Sequence, residues 1–237
     1  MSMQFSFERT EYKFRLTPTQ YFQILAGVKA RCVPDEYPFS AITSVYYDTP
    51  DFLLTRRSLE KPAYKEKLRL RVYGPATASS AAFAEIKKKM DGVVYKRRTA
   101  LNVREAQRWL GGETRRTGTQ IEREIDRFLS FYPGLRPAIL IACERDSFVS
   151  PDGALRLTFD RNIRYRAEEP DPLAGPYGAL LLPEGAVLME AKASGALPLW
   201  FARLLSGSGA YKTDFSKVGT AYLTMMNQIC TGGKKYA

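Results

Sequence analysis

Residues 66–74 read EKLRLRVYG, and in an extended chain this alternation puts Lys67, Arg69, Arg71 and Tyr73 on one side and Leu68, Leu70 and Val72 on the other. Lys65 lengthens the charged row. One strand of this kind is accounted for by a solvated sheet edge. The same two-faced pattern recurs, however. In FERTEYKFRL, Arg9, Glu11, Lys13 and Arg15 oppose Tyr12, Phe14 and Leu16; in FAEIKKK, Glu85, Lys87 and Lys89 align. In ALRLTFD, Arg156, Thr158 and Asp160 oppose Leu155, Leu157 and Phe159, and in VLMEAK, Glu190 and Lys192 oppose Val187, Met189 and Ala191. Strands so patterned make a sheet with one charged and one apolar face. The repeated Glu-x-Lys pairs (Glu11/Lys13, Glu85/Lys87, Glu190/Lys192) are most economically placed if the sheet curls so that charge lines a cavity and helices cover the outside. The expected fold class is therefore α+β: an antiparallel β-barrel with a charged interior and helices packed outside.

The helices are marked by caps and period. TPTQYFQILAGVKARC opens with Thr17 as cap and Pro18 at the first helical position, and predicts an apolar stripe of Phe22, Leu25 and Val28. NVREAQRWL has Asn102 with Glu105 three residues on, and TQIEREIDRFLSFY places Ile121, Ile125, Phe128 and Tyr132 on one stripe. LPLWFARLL (197–205) reads as a short fourth helix. Amphipathic helices among the strands argue against a membrane barrel. GPATASSAA (74–82) and AEEPDPLAGPYG (167–178) are loops that separate no self-sufficient halves, so a single domain over residues 1–237 is expected.

Composition limits the chemistry. There is no histidine, which removes Ser-His-Asp and Cys-His catalysis and histidine-ligated zinc. Neither a GxxxxGK[ST] loop nor a GxGxxG turn is present. Any chemistry must run on carboxylates, lysines, arginines and an oxygen-ligated metal. The formal charge of +11 points to an anionic partner. Cys32, Cys143 and Cys230 are odd in number and lack metal-ligand spacing, and the first residues lack an apolar signal region, so a cytoplasmic chain without a membrane segment is expected. Cations that face one another repel, and they persist where a polyanion supplies the opposite charge. Glutamates among them suit a hard divalent cation, Mg²⁺ or Mn²⁺, shared with phosphate oxygens. The ligand so implied is a chain of phosphates.

The ordered series ERTEYKF, YYDTPDF (46–52), EKLRLRVYG, AEIKKKMDGVVYKRR (84–98), LRLTFD (155–160), LMEAK (188–192) and DFSKVGTAY (214–222) resembles the VTC domain. That is the polyphosphate polymerase domain of the vacuolar transporter chaperone complex, a member of the triphosphate tunnel metalloenzymes related to the CYTH enzymes. The resemblance spans about residues 5–224. It implies an antiparallel tunnel that binds triphosphate or polyphosphate, and a polymerase that transfers the γ-phosphate of ATP with Mn²⁺ or Mg²⁺. By resemblance, Lys13, Arg69, Arg71, Lys87 and Lys192 are catalytic cations, and Lys96, Arg156 and Lys217 are further phosphate-binding ones. Arg57 fits another position with a one-residue length difference, which leaves Arg56 as competitor. Glu190 resembles the metal-binding glutamate, and Glu11 is the second carboxylate. Glu8 falls three residues from Glu11, on the opposite face of a regular strand.

Other residues have plainer readings. Lys88, Lys89, Arg97 and Arg98 read as solvated neighbours, Asp160 as either a partner of Arg156 or a metal ligand, and Tyr46, Tyr47 and Tyr95 as packing residues. Trp109 and Trp200 read as core, and the terminal GGKKYA as a tail. The function expected is a metal-dependent polyphosphate polymerase acting on ATP and polyphosphate. The alternatives are an inorganic triphosphatase or polyphosphatase using the same residues, and a non-catalytic polyphosphate-binding module. Nucleic acid ranks lowest, because few aromatics interleave the basic rows.

Overall fold

The computed structural model describes residues 10–91 and 93–232. Glu8 and residues 233–237 of the tail lie outside the described residues. The elements in chain order are β1 (Thr10–Leu16), α1 (Pro18–Lys29), β2 (Val33–Asp48), α2 (Leu53–Leu59), β3 (Tyr64–Tyr73), β4 (Ala81–Met90), β5 (Val93–Asn102), α3 (Val103–Leu110) and α4 (Gln120–Phe131). They continue with β6 (Arg136–Val149), β7 (Leu155–Arg166), a 3-10 turn (Pro172–Ala174), β8 (Ala179–Leu180), β9 (Val187–Ala193), α5 (Leu199–Gly207) and α6 (Lys217–Gly232). The strands follow the order β1-β9-β7-β6-β2-β3-β4-β5, with β8 beside β7, in an antiparallel α+β architecture of the kind the alternating rows predict. Two compact units can be distinguished. The first holds the chain up to Ser40, Cys143–Ile163 and Leu182–Phe215; the second holds Ala41–Ala142, Arg164–Leu181 and the chain from Ser216 on.

In the first unit, the apolar sides of β1, β7 and β9 (Phe14, Leu157, Phe159, Met189, Ala191) pack with Ile24 and Val28 of α1 and Phe201 of α5. The start of α1 forms as expected. The Thr17 hydroxyl accepts from Gln20 N at 3.3 Å, Gln20 Oε1 accepts from Thr17 N at 3.0 Å, and Pro18 opens the helix. The buried stripe, though, is Tyr21, Ile24 and Val28, and Phe22 is 66% exposed. At about 100° per residue, Phe22 points some 120° away from Val28, whereas Tyr21 lies seven residues back and nearly in line with it. The expected stripe of Phe22, Leu25 and Val28 is thus rotated by one position. Gly27 is where α1 meets α5: a Cβ there would lie 2.7 Å from Leu204 Cδ2.

In the second unit, Leu68, Leu70 and Val72 of β3 and Ala82, Ala84 and Ile86 of β4 pack against Trp109 of α3 and Ile125 and Phe128 of α4. Helices thus cover the apolar side of these strands. Asn102 caps α3 through Glu105 N at 2.8 Å, and Thr119 and Glu122 form a full capping box on α4. The turn into β5 starts with Asp91 at φ 46°, its N–H donating to the Ala63 carbonyl at 2.9 Å. The 167–178 loop is ordered by Arg166, which is buried and donates to the carbonyls of Glu169, Asp171, Gly175 and Tyr177 at 2.6–3.1 Å. Among the described residues, no helix is long and apolar enough to cross a membrane.

Two helices were not anticipated, α2 and α6. The YYDTPDF stretch serves the first of them: buried Asp48 accepts from Thr49 N and Leu54 N through Oδ1 and from Thr55 N through Oδ2, each at 2.9 Å. A carboxylate on the free N–H groups of a first turn is favoured by hydrogen bonding and by the helix dipole. Asp48→Ala is expected to lower unfolding free energy by about 2–3 kcal/mol, because three buried donors lose a charged acceptor. Denaturant unfolding checks this, and a change within about 0.5 kcal/mol would show the carboxylate to be dispensable.

Candidate functional site

Each compact unit carries a charged sheet face of its own. In the second unit the antiparallel register sets like charges side by side: Lys67 lies opposite Lys87, which lies opposite Lys96. Lys65 lies opposite Lys89. The next row runs Tyr46, Arg69, Glu85, Arg98, and the one beyond it Ser44, Arg71, Phe83. Directly opposed side chains share a face, so the cations expected from β3, β4 and β5 are brought together. Like charges in this position destabilise the sheet unless something lies between them.

Glu85 lies among these cations. It is 1% exposed, and its Oε2 accepts from Arg69 Nε at 2.5 Å. Lys96 Nζ forms an ion pair with Oε1 at 2.9 Å. Burial works against the Glu85 charge, but Arg69, Arg71 and Lys96 override it and pull the carboxyl down to about 2. Lys96 is held below its ordinary value by burial, which Glu85 offsets in part. Arg69 also donates to the Tyr46 hydroxyl at 3.2 Å, and Arg71 to Ser44 Oγ at 3.1 Å. Tyr46 is thus part of the charged face, not a packing residue. Burial raises its phenol, and Arg69, Lys67 and Arg71 outweigh that and lower it to about 8. Lys67 donates to Ser216 Oγ at 3.0 Å, and the same hydroxyl accepts from Gly219 N at 3.3 Å in the first turn of α6, next to Lys217.

Other cations of this unit divide between the faces. Arg98 stacks on Phe83, 4.6 Å from the ring centroid, on the charged side, whereas Arg97 pairs with Glu124 of α4 at 3.5 Å on the helix-covered side. Arg56 is committed to Asp51, bonding its carboxylate and, at 2.8 Å, its carbonyl. Arg57 is exposed on α2 and bears on the Tyr132 hydroxyl. That hydroxyl donates at 2.7 Å to Glu66, a residue in phase with Leu68 on the apolar side of β3, so Arg57 is not set in the cationic rows.

In the first unit, charges alternate in sign. Glu11, Lys192 and Arg156 form one row across β1, β9 and β7; Lys13, Glu190 and Thr158 form the next; Arg15, Leu188 and Asp160 the third. Lys13 Nζ lies 3.4 Å from Glu11 Oε1 and donates to the Phe215 carbonyl at 3.0 Å. Arg156 Nε is 2.6 Å from Asp35 Oδ2. Asp160 is therefore not the partner of Arg156. It is fully buried and accepts from Arg145 twice, at 2.5 Å to Oδ1 and 2.7 Å to Oδ2. Burial opposes the Arg145 charge, but Asp160 overrides it and Glu190 adds to the effect, so the guanidinium is held above its ordinary value. Thr158 Oγ1 is buried without a hydrogen-bond partner, on the face that carries Glu190. Among the described residues no cluster of three or more Asp, Glu or Cys forms a ready-made metal cage.

If Glu85 stabilises the fold by neutralising its neighbours, its depressed pKa sets the pH window. Stability from a carboxyl lowered from 4.5 to about 2 is fully present above pH 4.5 and is lost as pH falls toward 2. Glu85→Gln is expected to be less stable than the parent at neutral pH, with the difference closing through that interval. A constant difference down to pH 2, measured by thermal melting, would show that charge is not what Glu85 contributes.

Among solved structures, the chain is similar to a candidate adenylate cyclase from Vibrio parahaemolyticus, with 14% identity, coverage of 90% of this chain and 97% of that one, and a TM-score of 0.45. It is also similar to a protein from Pyrococcus horikoshii OT3, with 10% identity, coverage of 91% and 99%, and a TM-score of 0.47. A third is a candidate adenylyl cyclase from Hippeastrum described as having a dominant triphosphatase activity, with 13% identity, coverage of 88% and 92%, and a TM-score of 0.49. No curated protein matches the sequence significantly. The family model of the VTC domain matches residues 8–226, from just before β1 into α6 and through both charged faces, and the chain belongs to the VTC domain family.

Proposed function

We propose that this chain is a metal-dependent polyphosphate polymerase, which transfers the γ-phosphate of ATP to the end of a growing polyphosphate. The observation that carries the reading is the row Lys67–Lys87–Lys96, three ammonium groups in register on adjacent strands with one carboxylate, Glu85, nearby. A polyanion is the ligand that relieves such repulsion, and family membership supports polyphosphate as that polyanion. The three cysteines are free thiols, which fits a cytoplasmic location.

Phosphoryl transfer needs positioning and charge neutralisation more than covalent help from the protein. Arg69 and Arg71 are preorganised by Glu85, Tyr46 and Ser44, so their remaining N–H groups are aimed with little rotamer freedom left to lose. These two, with Lys87 and Lys96, hold phosphate oxygens; in the other unit Lys13, Lys192 and Arg156 do the same. In the reaction, a terminal oxygen of the acceptor chain bonds to the γ-phosphorus as the bond to the β-bridging oxygen breaks. The electron pair leaves with ADP.

Glu190 and Glu11 fit Mn²⁺ or Mg²⁺. Both are on the charged face of the first unit, on neighbouring rows, and buried Thr158 Oγ1 adds a further hard oxygen without a partner. Mg²⁺ sites commonly combine one or two carboxylates with substrate phosphates. A bound cation would neutralise charge on the phosphates it bridges.

Incubation of the pure chain with ATP and Mn²⁺, with products resolved by gel, is expected to give long phosphate chains and ADP. Release of orthophosphate alone would assign the hydrolase instead, and binding without turnover the non-catalytic module. Arg69→Ala and Arg71→Ala are each expected to weaken polyphosphate binding about tenfold or more, the loss of one charged hydrogen-bonding partner. Glu190→Gln is expected to lower metal-dependent turnover by orders of magnitude and leave polyphosphate affinity intact or raised, because one anion has gone. Wild-type turnover in that variant across a Mn²⁺ titration would remove Glu190 from the metal site.

A further inference from the structure

The paired ends of β4 and β5 carry a group of apolar side chains that no core absorbs. Met90, Val93, Val94 and Tyr95 are 53%, 45%, 46% and 54% exposed, an unusual clustering where single exposed apolar residues are the norm. The register extends the patch across three strands. Tyr64 of β3 lies opposite Met90, and Met90 lies opposite Val93. Because Val94 pairs with Lys89 on the charged face while Met90, Val93 and Tyr95 are in phase on the other, the tip is apolar on both faces.

Immediately behind the apolar tip the residues turn basic. Lys89 lies opposite Lys65 and Val94, Lys88 opposite Tyr95, and Lys96 and Arg97 follow directly in β5. The acidic residues here are Asp91, Glu66 and Glu124; Glu66 already accepts from the Tyr64 and Tyr132 hydroxyls at 2.6 and 2.7 Å, and Glu124 is paired with Arg97 at 3.5 Å, which leaves the lysines as the surplus charge. At ~3.3 Å per residue, the cations sit within about 7 Å of the tip. A bilayer interface presents the matching order: an apolar boundary entered to a depth of about 5–10 Å, with anionic headgroups around it. Tyrosine, with an apolar ring and a polar hydroxyl, suits that boundary. A folded protein partner with an apolar pocket would not require basic residues on both faces of the hairpin at one depth; an anionic lipid layer, which surrounds whatever enters it, does.

We infer that the β4–β5 hairpin tip is a membrane-docking element, which inserts Met90, Val93, Val94 and Tyr95 shallowly into an anionic bilayer with Lys65, Lys88 and Lys89 at headgroup level. This is independent of the chemistry proposed above, since none of the inserted residues belongs to the phosphate-facing cations. Docking of this kind is peripheral and reversible.

Sedimentation of the full chain with phosphatidylcholine vesicles, with and without phosphatidylglycerol, tests the inference. Binding is expected for the anionic vesicles, and the double variant Val93→Asp/Val94→Asp is expected to reduce it about tenfold or more, from lost insertion plus repulsion. The variant's melting temperature serves as the control for folding. In a second variant, Val94→Trp, tryptophan emission is expected to shift to the blue with anionic vesicles and not with soluble polyphosphate. Any of these results would overturn the inference: no vesicle binding by the parent chain; undiminished binding by the aspartate variant, which would mean that the basic faces alone suffice; or a dimer of the parent that the aspartate variant dissociates, which would make a second copy the occupant. An unshifted Val94→Trp emission in the vesicle-bound protein would do so as well.

Discussion

The close approach of Glu85 to Arg69 and Lys96 is the interaction on which the charged face of the second unit depends. Three lysines in one row, with Arg69 and Arg71 in the next two, make a repulsive arrangement, and it is held in a sheet whose other side is an apolar core. Burial of Leu68, Leu70, Val72 and Ile86 under α3 and α4 fixes the strands regardless of what their other faces carry. One buried carboxylate then neutralises part of the charge and orients Arg69. It leaves a deliberate surplus. A second acid in the row would make the unliganded sheet more stable and the face less attractive to an anion, so the shortage of acids is itself the binding energy held in reserve.

The first unit resolves the same tension differently. There Glu11, Lys13, Glu190 and Lys192 alternate in sign within and between rows, and Arg145 is neutralised by Asp160. Carboxylate oxygens thus lie beside cations on one face.

Much of this was legible in the chain because the two-residue period of a strand is local. Seven neighbouring residues are enough to assign Arg69 and Arg71, or Glu190 and Lys192, to a common face. Arg145 was missed for the same reason in reverse: RPAILIACERDSFV runs apolar through residues 138–143, so no alternation says which way its later charges point. The pairing of Asp160 with Arg156 failed because its partner, Arg145, lies on a strand 15 residues earlier in the chain. Tyr46 looked like packing material beside Tyr47, and only the pairing with β3 separates them, Tyr46 opposite Arg69 and Tyr47 opposite Leu68. The rotated stripe of α1 reflects a closer contest, since Tyr21 and Phe22 are adjacent aromatics and only the sheet decides between them. Arg57 was placed by motif length, which carries no information about direction.

The turn at Asp91 sets which residues of β5 oppose β4, and its positive φ fixes the chain reversal. In a strand, a shift of one residue exchanges the two faces completely. Were β5 displaced by one position, Lys96 would be turned toward α4 and Tyr95 would take its place on the charged face. The composition, the charge and every motif would be unchanged, and the face would be lost. What the paired basic strands depend on is therefore parity, a property of register that no single residue carries.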